Sequence, residues 1–248
     1  MVNVATYPRF TNDVFKNATS VFANNDIKYE VNKLRAQSYA QQQNKGILYC
    51  PAKDTPSTEA LRLRQDLPAQ NVSWLNRHDR ESGDLYGMLP LMIGMPVAVT
   101  EHINRSYDKR LLKGGVGYIH SWVLAPDEKS EYEDGVRILH NLPQVVFVQF
   151  LSKSCKELDW ILPGLNEKGL YPIRPRTNTG YLDKGRTYRV LRINRRQLPL
   201  TPAWAMTSHA AQGQTFSQGA IVDLKIGGSS SIMSSDAAIT RVEHINEL

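Results

Sequence analysis

Cysteine is scarce: Cys50 and Cys155 are the only two in 248 residues. Two cysteines cannot build a disulfide framework or a C-x-x-C metal knuckle, which excludes a stapled secreted scaffold and a zinc module as organising principles. No apolar run approaches the roughly 20 residues that span a bilayer. The opening MVNVATYPRF lacks the basic start and long apolar core of a secretory signal. These features predict an intracellular protein with no membrane partner. Nucleotide-binding and hydrolase signatures are missing as well. There is no G-x-x-x-x-G-K-[ST] phosphate loop, no G-x-G-x-x-G after a strand, no H-E-x-x-H and no G-x-S-x-G. A self-contained nucleotide hydrolase, a zinc protease and an elbow-type serine hydrolase are therefore not expected.

What is present is ordinary in bulk and uneven in detail. Hydrophobic residues make up 41% and charged residues 22%, the composition of a globular chain with a real core. Thirty Lys and Arg against 24 Asp and Glu give a formal charge of +6, a mild bias toward an anionic partner. The excess is local. Between Arg174 and Arg196 stand eight basic residues and one acid, Asp183, with Tyr181 and Tyr188 among them. That mixture suits a phosphate backbone with stacking bases, or equally an edge strand guarded by charge.

Periodicity predicts an α/β chain with a β-rich middle. Ser20–Ala23 reads as a buried strand, Asn24, Asn25 and Asp26 as turn and cap, and Ile27, Val31 and Leu34 as the apolar stripe of a helix. GILYC (Gly46–Cys50) is a second strand, followed by PAKDTPSTEA as loop. From Met95 come the short β-type runs MPVAVT, GGVGYIHSWVL and QVVFVQF, and RTYRVLRI (Arg186–Ile193) alternates at period two. Residues 151–185 carry Pro, Gly and Asn without period and read as long loops. After Leu198 the α/β texture returns: strand AWAM, a polar helix start, strand AIVDL and a last helical piece, SIMSSDAAITRVEHI. No internal repeat is found.

The strand tip after AWAM carries the sharpest chemistry. In open α/β sheets, ligands sit at the carboxyl ends of strands. Thr207, Ser208 and His209 can donate to phosphate oxygens there, Gly213 permits close backbone approach, and Gln214 can bond a phosphate or a water. A plain helix cap and turn would look the same. Arg241, after the apolar AAIT, could reach a phosphate with its fork or form a surface ion pair.

Four segments, in order, resemble Pif-type DNA helicases, the 5′-to-3′ branch of superfamily one that includes RecD-like and helitron enzymes. LPLTPAWAMTSHAAQGQTFSQGAIVDL is similar to their motif V, P-L-x-x-A-W-A-x-[TS]-x-H-K-x-Q-G-x-T followed by V-D-L. AAITRVEHINEL resembles motif VI, and LMIGMPVAVTEHINRSYDKRLLKGGVGYIHSW resembles the segment that enters an SH3-like unit. VFANNDIKYEVNKLRA resembles motif IV, a strand, an Asn, then a helix with a second Asn. Ala210 stands where the family has Lys, and Lys113-Gly114 where it has Asn-Gly.

The resemblance implies a second RecA-like motor domain: a parallel sheet with helices over residues 1–94 and 198–248, interrupted by an SH3-like β unit over 95–197. It implies ATP with Mg²⁺ bound between this domain and a first, N-terminal RecA-like domain that carries the phosphate loop, and no hydrolysis by this chain alone. Arg241 would be the arginine finger; Gly213 and Gln214 would join it at the nucleotide. Thr207 and His209, with Asn25 and Lys113, would contact single-stranded DNA. Gly114 and Gly117 would serve a tight β turn. In a eukaryote such a protein would be nuclear. The alternative is a non-catalytic nucleic-acid-binding module.

Three further features could carry function. RHDRESGDLYG (Arg77–Gly87) packs one His among three acids, as a metal-dependent nuclease or simply a charged loop would. His102, His120 and His140 read as edge or surface residues. Trp74, Trp122 and Trp160 could offer stacking faces, whereas Trp204 reads as mid-strand core.

Overall fold

The structure, a computed structural model, describes residues 18–63, 71–76, 82–150, 158–182, 191–211, 216 and 219–223. Along the chain the elements begin with β1 (Thr19–Phe22), α1 (Asn25–Gln42), β2 (Ile47–Pro51), β3 (Lys53–Pro56), α2 (Thr58–Leu63) and α3 (Asn71–Trp74). Next come β4 (Met88–Leu91), β5 (Pro96–Val99), β6 (Val116–Val123), β7 (Val136–Ile138), β8 (Val145–Phe150), β9 (Leu170–Ile173) and β10 (Arg176–Leu182). The last are β11 (Leu191–Gln197), β12 (Leu200–Pro202), β13 (Ala205–Thr207), α4 (Ser208–Ala211) and β14 (Ala220–Val222). The chain divides into two compact units, Met1–Arg35 with Ala203–Leu248, and Ala36–Pro202.

In the first unit three short strands lie parallel in the order β13–β1–β14. Parallel strands are covered on both faces and favour continuous apolar runs. Here Val21, Met206 and Ala220 form a core cluster with Ala211 of α4 and Phe216. Helix α1 begins where Asn24 accepts the Asp26 N–H through its side-chain oxygen at 2.8 Å, a cap that satisfies one of the helix's orphan donors.

The helix forms where the sequence predicts it but buries a different face. Ile27 and Leu34 of the expected stripe are 42% and 59% exposed. The buried positions are Lys28, Tyr29, Asn32, Ala36 and Ala40, also at helical spacing. Small alanines permit close approach, and the one amide among them has backbone partners.

The second unit is mainly antiparallel. Its five-stranded sheet runs β12–β5–β6–β8–β9, with a bulge between Ile119 and Ser121. Val97, Val99, Ile119, Val146, Val148 and Phe150 are buried. Gly114 adopts φ 85° in the turn before β6, and its N–H donates to Val99 O at 2.8 Å. Gly117 serves no turn: it lies inside β6, where a Cβ would stand 2.7 Å from Gln149 O, so glycine permits the close approach of β8. A second sheet, β4–β2–β7, pairs β2 parallel to β7.

The third sheet, β10–β11–β3, corrects two sequence expectations. PAKDTPSTEA is not a loop but contains β3 and the start of α2. The stretch 151–185 contains β9 and β10. Along β11 the side chains alternate: Arg192, Asn194 and Arg196 are exposed, while Ile193, Arg195 and Gln197 are buried. Arg195 grips Asp54 bidentately, Nε to Oδ1 at 2.7 Å and Nη2 to Oδ2 at 2.6 Å. It also donates to Leu85 O and Trp74 O. Its side chain is 0% and that of Asp54 1% exposed, so a charge pair with satisfied donors locks the underside of the sheet.

Candidate functional site

Parallel register brings three of the expected residues to one edge. Phe22, the last residue of β1, is paired with Thr207, the last residue of β13. Asn25 follows Phe22 as the first residue of α1, and His209 follows Thr207 in the first turn of α4. On the other flank of β1, the Asp223 N–H after β14 donates to Val21 O at 3.0 Å. Asn25, Thr207 and His209 thus leave the same carboxyl edge of one parallel sheet, where such folds place ligands.

Each side chain has a defined state. Thr207 is half-buried, and its Oγ1 accepts the Ala210 N–H at 3.3 Å. That bond uses an oxygen lone pair and leaves the hydroxyl proton available. His209 is exposed. Asn25 is half-buried and is not itself the cap, a role taken by Asn24. Trp204 lies in the bend before β13 rather than mid-strand; it is half-buried, and its carbonyl accepts the Ser20 N–H at 2.9 Å.

The residue that positions this edge is Asn32. Its Oδ1 accepts the Ala205 N–H at 2.8 Å and its Nδ2 donates to Ala205 O at 2.9 Å. Because Trp204 O faces β1, the polar groups of Ala205 face the open side of β13. The carboxamide therefore bonds them as a residue of a fourth strand would. The sequence signal was an Asn in a helix interior, where this residue is intrinsically poor. The resemblance marks a second Asn in this helix without a role.

Lys113 lies in the second unit; its ammonium is paired with Asp84 Oδ2 at 2.5 Å, and its N–H donates to His102 Nδ1 at 3.2 Å. Gly213, Gln214 and Arg241, assigned to ATP with Mg²⁺, lie outside the described residues. So do His78, Asp79 and Glu81 of the acidic stretch, the last helical piece and most of RTYRVLRI. Among the described residues no cluster of His, Cys, Asp or Glu could hold a metal ion. Trp74 offers no stacking face, being buried against Ala60 and Ile193. Trp160 packs edge-on to Tyr171 at 6.0 Å.

Comparison with known proteins adds a fold. The Pif1 helicase from Candida albicans is similar over 91% of this chain, at 18% identity and a TM-score of 0.52. The chain has the fold of part of that helicase. It spans 42% of the helicase's own length. Bacteroides Pif1 bound to ssDNA is similar over 93% of this chain and 39% of its own, at 16% identity and a TM-score of 0.48. Pif1 from Bacteroides in complex with ADP-AlF3 and ssDNA matches over 94% and 40%, at 17% identity and a TM-score of 0.46. No protein-family model and no curated protein matches the chain. The mixed α/β architecture, with parallel sheet segments and helices, is thus the expected one. Among the described residues no helix is long and apolar enough to cross a membrane.

Proposed function

We propose that this chain is the second RecA-like motor lobe of an ATP-dependent 5′-to-3′ DNA helicase. The observation that carries the reading is the convergence of Asn25, Thr207 and His209 on the carboxyl edge of one parallel sheet. Thr207 donates its hydroxyl proton to a phosphate of single-stranded DNA, and His209 and Asn25 flank it. Gly213 and Gln214 contact the nucleotide, and Lys113 contacts the DNA from an SH3-like unit over residues 95–197. A first RecA-like domain supplies the phosphate loop, and ATP with Mg²⁺ binds between the two. Arg241 acts there as the arginine finger, placing fixed positive charge against the γ-phosphate as negative charge develops. The motif resemblance and the shared fold support this reading.

The strand edge is tested by binding of a fluorescein-labelled oligothymidylate to the full chain. Each lost charge-assisted hydrogen bond is worth about 1.5–3 kcal/mol. Thr207→Val with His209→Ala should therefore weaken binding by at least about tenfold. Unchanged affinity would overturn the assignment. Binding that persists without any ATPase activity once a phosphate-loop domain is joined would favour the non-catalytic module.

A further inference from the structure

The sheet β10–β11–β3 has one face that no part of the reading above uses. Register sets Arg196 between Thr177 and Lys53, and Asn194 between Thr179 and Thr55. With Arg192 two residues along, this face carries three cations, three threonines and an asparagine, and no acid. Its opposite face is locked by the buried Arg195–Asp54 pair, so the platform is rigid. Arg192 and Arg196 are exposed. Lys53 is held in place by donating to His140 O at 2.5 Å.

The same face floors a cavity of about 500 Å³, within the range that holds a base or small ligand. Lys53, Thr55, Thr177, Asn194 and Arg196 form the floor. Asn141 and Gln144 stand among its walls with one acid, Asp127, which accepts from Asn141 Nδ2 at 3.3 Å. The Asn141 loop is itself fixed. Glu128 accepts the N–H groups of Ser130, His140 and Asn141 at 2.9, 3.2 and 2.6 Å.

We propose that this face is a second binding surface for single-stranded nucleic acid, with the sugar–phosphate backbone on the Arg192–Asn194–Arg196 row and a base in the adjoining cavity. The proposal deepens the motor-lobe reading and rests on it for the class of partner. Three strands spaced about 4.8 Å apart make a platform about 10 Å wide, which fits one strand rather than a duplex. Residues on one face of β11 recur about every 7 Å, a spacing suited to successive phosphates of an extended strand. Guanidinium forks and hydroxyls bond phosphate oxygens, and the Asn194 and Gln144 amides can pair with an unstacked base edge.

The test is the salt dependence of oligothymidylate binding to the full chain. Each phosphate contact to a single strand contributes about 0.7 to the log–log slope. Arg192→Gln with Arg196→Gln should flatten the slope by about 1.4, so wild type loses about sevenfold more affinity than the variant between 50 and 200 mM salt. Lys33→Gln with Lys45→Gln removes the same charge from exposed positions elsewhere and should leave the slope near wild type. Gln144→Ala should weaken binding of the oligonucleotide but not of its abasic counterpart. Equal slopes for the arginine variant and the control would overturn the proposal, as would a larger effect on duplex than on single strands. Loss only in the Thr207/His209 variant would refute this surface and spare the motor-lobe reading; loss only in the arginine variant would do the reverse.

Discussion

Asn32→Ala isolates the contact that shapes the strand edge. Asn32 is 0% exposed, and its amide is bonded to both polar groups of Ala205. Truncation removes two hydrogen bonds and leaves a buried N–H and C=O without partners. Each such orphan costs about 1–3 kcal/mol, so the loss should be about 2–6 kcal/mol, the lower end applying where water enters the space. With a urea m-value of about 2 kcal/mol per molar, the midpoint falls by about 1–3 M. Hydrogen exchange of the Ala205 amide should accelerate selectively. Asn32→Asp sharpens the test. Its carboxylate accepts from the N–H but repels the carbonyl, so it should be as damaging as alanine at neutral pH. The buried acid binds a proton more tightly folded than unfolded, so its deficit should shrink as pH falls below that raised pKa. An alanine variant within about 0.5 kcal/mol of wild type, or an aspartate variant whose deficit ignores pH, would refute the strand-mimic argument.

Other predictions concern the second unit. Asp54→Asn should cost about 3–5 kcal/mol in urea denaturation, because it strands the buried Arg195 charge, and replacing both partners by apolar residues should cost less than the two single changes together. Burial raises the Glu128 pKa, but bonds from Ser130, Asn141 and His140 outweigh it and hold the carboxyl at about 2. Its stabilising effect is therefore full above the usual carboxylate range near 4.5 and lost as pH falls toward 2. Glu128→Gln should flatten the acid limb of the stability–pH curve. Burial also pushes the Cys50 thiol up, so its alkylation should track unfolding rather than thiol exposure in the native state.

The sequence reveals elements wherever burial dictates residue type. The runs around Val97, Val146 and Ile119 are apolar because they face the antiparallel core, and their strands stand where periodicity predicts. The strands β3 and β10 escape it for the opposite reason. Thr177, Asn178 and Thr179 satisfy the ladder through their backbones while their side chains face solvent or bond carbonyls, as Asn178 does with Gly83 O. Pro172 and Pro175 make the same stretch resemble a loop. For α1 the helix was legible but its buried face was not, since a stripe of Ile27, Val31 and Leu34 outweighs Tyr29, Asn32 and two alanines on any hydrophobicity count. Thr207, His209 and Asn25 could be chosen from the sequence, but only the Phe22–Thr207 register places them on one edge.

The most direct test of the motor-lobe account is ATP turnover by this chain joined to a phosphate-loop domain, measured with and without single-stranded DNA. The account predicts DNA-stimulated hydrolysis that Arg241→Ala lowers by about 10³-fold or more while oligothymidylate affinity stays within about twofold, the contacts of a finger being with nucleotide rather than DNA. Normal turnover in the Arg241→Ala protein would contradict it.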